Sequence, residues 1–341
     1  MPSTAPARRR PVRPREDHGF FGPGSIVWQL WGYPTSVTVG FQRSVVIEEL
    51  DPFLLAAVAG TDKVRYAPAA RYDNTLVYFA TMALGDSRSA IEASEILYRV
   101  HGAVTGTEPV SGLPYSPNDP ETQLWIHVTA WHSIQYTYET FGPGRITETE
   151  DQQWWAACRV AAELQTIDVE RVPSSRAEAS AYLQEVRARL CVTEETRAMM
   201  LHLLEAATMI GPRTPVLRLP SSIAGRIVRR ATISTFPRWM RDLTGIRQTR
   251  LTDALVWVLY SVAMRAAAPM PVRTRLLRIV SPATAAVALP ALRHDEVLDP
   301  VVVTPAEARE RWGRLAAPAE LQRQAAGSAA PAAPTSVPVS V

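Results

Sequence analysis

Strand-forming sequence is scarce in this chain, and that scarcity sets its fold class. Val301 to Thr304 is the only β-branched run of note, and Pro300 and Pro305 bound it on either side. Elsewhere apolar residues recur at the three- and four-residue spacings of an amphipathic helix. Thr35 to Leu50 carries Val37, Phe41, Val45 and Leu50 close to that period. Asp51-Pro52 opens a further helix, because Asp caps and Pro suits the first turn. Ala69 to Leu84 and Ser87 to Val104 follow, separated by Gly85-Asp86. Gly106 to Pro120 reads as a loop, after which Asp119-Pro120-Glu121 opens a helix over Trp125–Phe141, stopped at Gly142-Pro143-Gly144. Thr147 to Glu150 caps the next, running to about Thr166. Further helices are expected at Ser175–Leu190, Thr193–Met209, Leu251–Arg265 and Pro305–Leu315. The expected fold is all-α: a single large helical domain over residues 18–321, without a repeat of fixed period.

The ends differ from this body. Residues 1–17 hold Arg8, Arg9, Arg10, Arg13 and Arg15 among helix-breaking prolines and read as a disordered basic arm. No apolar run follows the arginines, so the arm lacks what a secretory signal needs, and a cytoplasmic location is expected. Residues 322–341, rich in Ala, Pro, Ser and Val, read as a disordered tail. Lys63 is the single lysine, so the net charge of +3 is carried by arginine. No basic stripe with interleaved aromatics appears in the body, and nucleic acid is not an expected partner. Cys158 and Cys191 stand alone in helical patterns, with neither zinc spacing nor a disulfide framework. Ala254 to Ala268 is apolar but short of the roughly 20 residues that span a bilayer. It reads as a core helix or one that docks on a surface, leaving peripheral membrane contact open.

Chemistry concentrates between Tyr98 and Tyr138, which hold three of the six histidines on apolar, helix-periodic segments. A buried imidazole needs a partner, since an unpaired buried polar group costs about 1–3 kcal/mol. A neighbouring helix, a backbone carbonyl or a metal can supply it, and for His101 and His127 all three readings stay open. Arg71, Asn74 and Thr75 neighbour one another on one predicted helix. Together they can hold a carboxylate or a bound diatomic ligand, or they form a solvated first turn. Glu48-Glu49 and Glu194-Glu195 are expected on helix exteriors or N-termini, in water. No phosphate-binding glycine loop, HExxH or GxSxG occurs.

The order of motifs resembles an oxygenase family formerly known only as a domain of unknown function. It includes the membrane-bound oxygenase of mycophenolic acid biosynthesis and the latex-clearing rubber oxygenases. The matching residues are Phe20 to Trp28, Arg71 with Thr75, Gly85-Asp86, Val100-His101 with Val104 and Gly106, and Gly112 to Tyr115. Asp119-Pro120, Leu124 to Thr129, Pro173 to Ser175 and Phe236 to Arg241 continue the series, which covers roughly residues 19–290.

The resemblance implies a pocket for haem b between core helices, with His101 as the iron ligand. It also implies Arg71 and Thr75 near the haem, and His127 as an outer support or alternative ligand. Asn74 stands where the rubber oxygenases have a distal lysine, and Asp51-Pro52 where many relatives have His-Pro. The implied activity is a haem-dependent oxygenase using O₂ on a hydrophobic isoprenoid, lipid-like or natural-product substrate, including oxidative cleavage of a carbon–carbon double bond. A haem-dependent tailoring enzyme and a non-catalytic haem-binding helical protein are the rival readings.

Overall fold

The structure is a computed structural model that describes residues 13–60, 68–209 and 215–328. Residues 1–12 of the expected arm, Lys63, and residues 329–341 of the expected tail lie outside the described residues. The chain opens with α1 (Ile26–Gly32), a π-turn (Ser36–Gly40), α2 (Phe41–Glu48), α3 (Pro52–Ala59), α4 (Pro68–Leu84) and α5 (Ser87–Gly102). It continues through α6 (Pro120–Phe141), α7 (Glu148–Ala162), α8 (Arg176–Val186), α9 (Glu194–Met209), α10 (Pro215–Ser234) and α11 (Arg238–Thr244). The last elements are α12 (Arg250–Ala267), α13 (Met270–Val280), α14 (Pro282–Leu292), α15 (Pro305–Trp312) and α16 (Pro318–Ser328). Among the described residues, the only paired strands are β1 (Gly106–Thr107) and β2 (Pro114–Tyr115), with Gly106 opposite Tyr115. The architecture is all-α.

Helix α6 is the axis of the molecule. Asp119 starts it by accepting from the amides of Glu121 (3.0 Å) and Thr122 (3.1 Å), and Pro120 fills the first position. Its 22 residues extend about 33 Å. Buried positions such as Leu124, Trp125, Val128, Trp131 and Ile134 fall all round it, as they do in a helix enclosed by others rather than laid on a surface. Helices α1, α2, α7 and α12 and the π-turn pack against it. Trp131 anchors the core between Trp154 (ring centroids 4.4 Å apart), Trp31 (6.4 Å) and Phe21 (6.2 Å).

Three expectations are corrected. The helix expected from Thr35 to Leu50 is broken at Thr38, whose backbone leaves helical geometry. There the Thr38 hydroxyl donates to the carbonyl of Pro34 (2.7 Å) and meets that of Tyr260. Residues 13–17 of the expected arm are described and lie against the body of the protein. The amide of His18 donates to Val301 O (3.0 Å), and Leu298 N donates back to Arg15 O (3.0 Å). Val301 to Thr304 forms no strand of its own; its extended backbone lies along this arm. The tail is helical through Ser328, because α16 carries the chain past residue 322.

Candidate functional site

Helix α5 is fixed at its start by buried carboxylates. Asp17 accepts from the amides of Ser87 (2.8 Å) and Gly19 (2.8 Å), and Asp86 caps the first turn through Ser89 N (2.7 Å). Negative charge at a helix N-terminus is stabilising, because the first amides have no partners within the helix. The last turn then presents Arg99 and His101. His101 is half-buried there, just before the chain turns into the β1–β2 loop.

That loop is held on both sides. Glu108 accepts from the amides of Val110 (2.8 Å) and Ser111 (2.6 Å). Asn118 donates to Tyr98 O (2.9 Å) on α5, and Thr166 donates to Asn118 O (2.9 Å). The first turn of α6 is thereby set beside the last turn of α5. The side-chain amide of Gln123 donates to Pro117 O (2.6 Å) and also reaches His101 Nδ1 (3.0 Å). The imidazole is thus oriented through Nδ1, with Nε2 on the edge turned away from Gln123.

His127, one turn further along α6, is 1% exposed. Its Nε2 donates to the carbonyl of Cys158 on α7 (2.8 Å), and Gln165 donates to its Nδ1 (2.8 Å). Both ring nitrogens have partners, so the ring joins α6 to α7 and the segment after it. Burial pushes its pKa down to about 4, which keeps the ring neutral at ordinary pH. In this arrangement neither nitrogen is turned to a metal.

Thr75 falls on one stripe of α4 with Tyr78 and Met82. Met82 shares a small core with Ala90 and Ile91 of α5, so this stripe faces the helix that carries His101. The side chain of Arg71 lies outside the described residues; Thr75 is half-buried. Asn74 is exposed and lies off the stripe.

The solvated reading of Glu48-Glu49 is overturned: the two residues are 7% and 4% exposed. Ser44 donates to the Glu48 carboxylate, and Trp125 Nε1 donates to Glu48 O (3.1 Å). Glu194 and Glu195 are exposed in the first turn of α9, as expected. Gln123 was not foreseen as a partner of His101. Its signal was its place four residues before His127, inside the motif that Leu124 to Thr129 continue.

No curated protein and no solved structure matches the chain. The family described as ER-bound oxygenase mpaB/B'/Rubber oxygenase, catalytic domain, matches residues 28–269, a span that holds α2 through α12 and includes His101, Gln123 and His127. The chain belongs to that family of oxygenases.

Proposed function

We propose that this protein is a haem b-dependent oxygenase acting on a hydrophobic small molecule, with oxidative cleavage of a carbon–carbon double bond as its reaction. The observation that carries the reading is His101, half-buried at the end of α5 and oriented by Gln123, in a chain of an oxygenase family. Among the described residues no three His, Cys, Asp or Glu side chains gather to hold a bare metal ion. A haem brings four nitrogen ligands of its own and asks the protein for one or two. The donor set offers such a group one imidazole, with a side-chain amide beside its second nitrogen.

In this reading the bound haem supplies activation of dioxygen, and the chain does the rest. His101 would hold the iron. The Gln123 amide would steady the ring through Nδ1; to accept the proton that a metal-bound imidazole carries there, it would have to give up its bond to Pro117 O and present its oxygen instead. Arg71 would be the cation for a haem propionate, and Thr75 would be the hydroxyl beside it. Asn74, an amide in place of a lysine, would be a poor ligand to the iron. His127 acts at a distance, by holding α6 in place.

Dioxygen uptake by the haem-loaded protein on isoprenoid and unsaturated lipid substrates tests the reaction. Cleavage gives stoichiometric aldehydes or ketones. Uptake with hydroxylated or dehydrogenated products indicates a tailoring enzyme instead, and no uptake on any substrate removes catalysis.

A membrane surface is the proposed source of such substrates. No single helix among the described residues is long and apolar enough to cross a bilayer. The outward face of α12 nevertheless exposes Leu251 (70%), Leu255 (63%), Val258 (55%) and Val262 (60%) at helical spacing. Arg247 and Arg250 are exposed at its start, suited to anionic headgroups. The protein is expected to float with vesicles containing anionic lipid, and Leu255→Glu with Val258→Glu to reduce the bound fraction at least fivefold. Equal flotation of the double variant excludes this face.

A further inference from the structure

A second site lies on the other side of α6. Trp125, Thr129 and His132 share one face of this helix, and Gln123, with its contact to His101, projects from the opposite face. Against the first face, α2, α8 and α11 close a cavity of about 230 Å³. Its floor holds Arg43, which is 5% exposed.

The arginine is unusual in its company. Its Nη1 donates to the Ser133 hydroxyl (2.6 Å) and lies 3.4 Å from His132 Nδ1, and its guanidinium sits 5.0 Å from the centre of the Tyr136 ring. None of these groups is an anion. Arg43 forms no ion pair among the described residues, and its Nε is buried without a partner. Burial lowers its pKa only to about 10, so the group stays charged at neutral pH. His132 does not share that charge: burial and the neighbouring Arg43 and Arg176 hold its pKa down to about 3. A buried charge is normally paired, because leaving it uncompensated is costly.

An independent observation concerns Thr129. It is 1% exposed, lines the same cavity, and its hydroxyl has no hydrogen-bond partner. A helical threonine commonly satisfies its hydroxyl on the carbonyl one turn back; this one does not. The remaining walls are mostly apolar, chiefly Trp125, Trp239 and Met240, with Gln184 and Arg187 also lining the cavity and no acidic residue among them. Arg187, exposed, lies at 4.3 Å over the Trp239 ring.

We propose that this cavity binds a small amphipathic monocarboxylate, its head group on Arg43 and Thr129 and its chain between Trp125 and Trp239. The pattern is one buried cation, one free hydroxyl and an aromatic wall. At about 30 Å³ for each water-sized group, the volume admits roughly seven or eight heavy atoms, the size of a six-carbon acid. The site stands apart from His101, so its test does not depend on haem.

Isothermal titration of the full-length protein with hexanoate, hexan-1-ol and acetate provides that test. Hexanoate is expected to bind at one site, at least tenfold more tightly than hexan-1-ol, which lacks the charge, or acetate, which lacks the chain. Thr129→Val should weaken hexanoate about fivefold and leave hexan-1-ol unchanged. Arg43→Gln should abolish the preference for the acid. Should Arg43→Gln fail to fold, the three ligands and Thr129→Val decide the matter. No binding of hexanoate, equal binding of acid and alcohol, equal binding of hexanoate and acetate, or indifference to Thr129→Val each overturns the proposal.

Discussion

Purified His101→Ala is expected to retain roughly a tenth or less of the haem held by the wild-type protein, because loss of the ligand itself exceeds the 10- to 100-fold effect of losing an outer partner. The fold should survive. His101 is half-buried in the last turn of α5, where truncation opens no deep cavity. Far-ultraviolet circular dichroism and the unfolding midpoint of the haem-free proteins therefore should match. His127→Ala has the opposite profile. It leaves the Cys158 carbonyl and the Gln165 amide without their partner inside the core, so stability and activity should fall more than haem content. Haem loading of His101→Ala equal to wild type removes the ligand assignment. Loss of haem from His127→Ala alone exchanges the two roles.

Acid is expected to destabilise the protein through His127. Its folded pKa of about 4 lies below the value of 6.5 for a free imidazole. The unfolded chain thus binds this proton more readily than the folded one as pH falls below about 6.5. The contribution is complete above that pH and is lost progressively down to about 4. At about 1.4 kcal/mol per pKa unit, the loss reaches roughly 2 kcal/mol at pH 5 and about 3 kcal/mol at the lower limit. Urea unfolding at pH 7.5 and pH 5.0 measures it. His127→Gln, which has no titrating group, should be less stable at pH 7.5 but lose about 2 kcal/mol less between the two pH values. An identical pH dependence in both proteins means that the ring is not buried as described.

The parts of this fold that could be read from sequence are those governed by local chemistry. Helix α6 announced itself through Asp119-Pro120 at one end and Gly142 at the other, and the structure uses both. The capping box of α7 at Thr147 and Glu150 was equally plain. Helices α10, α13 and α14 were less so. Prolines at 220 and 290 fall inside α10 and α14, and the identity of these helices depends on packing: α10 against α9, α14 against α4. The burial of Glu48 and Glu49 could not be foreseen, because α2 is enclosed only once α6, α9 and the π-turn close round it.

For the site, the histidines stood out because imidazoles on apolar helices are costly without partners. Which partner each takes is a tertiary fact. Gln123 reaches His101 only because the loop ending at Pro117 and Asn118 folds back on α5. Arg43 had a weak signal of its own, as an arginine inside the apolar period of Phe41 and Val45. Its lack of a carboxylate is visible only when the helices around it are assembled.

The most direct test of the central claim is the absorption spectrum of the purified full-length protein after reconstitution with haem b and gel filtration. A Soret band that co-elutes with wild-type protein and is missing from His101→Ala is the predicted result. Protein that emerges free of haem, or a Soret band of equal strength in both proteins, contradicts it.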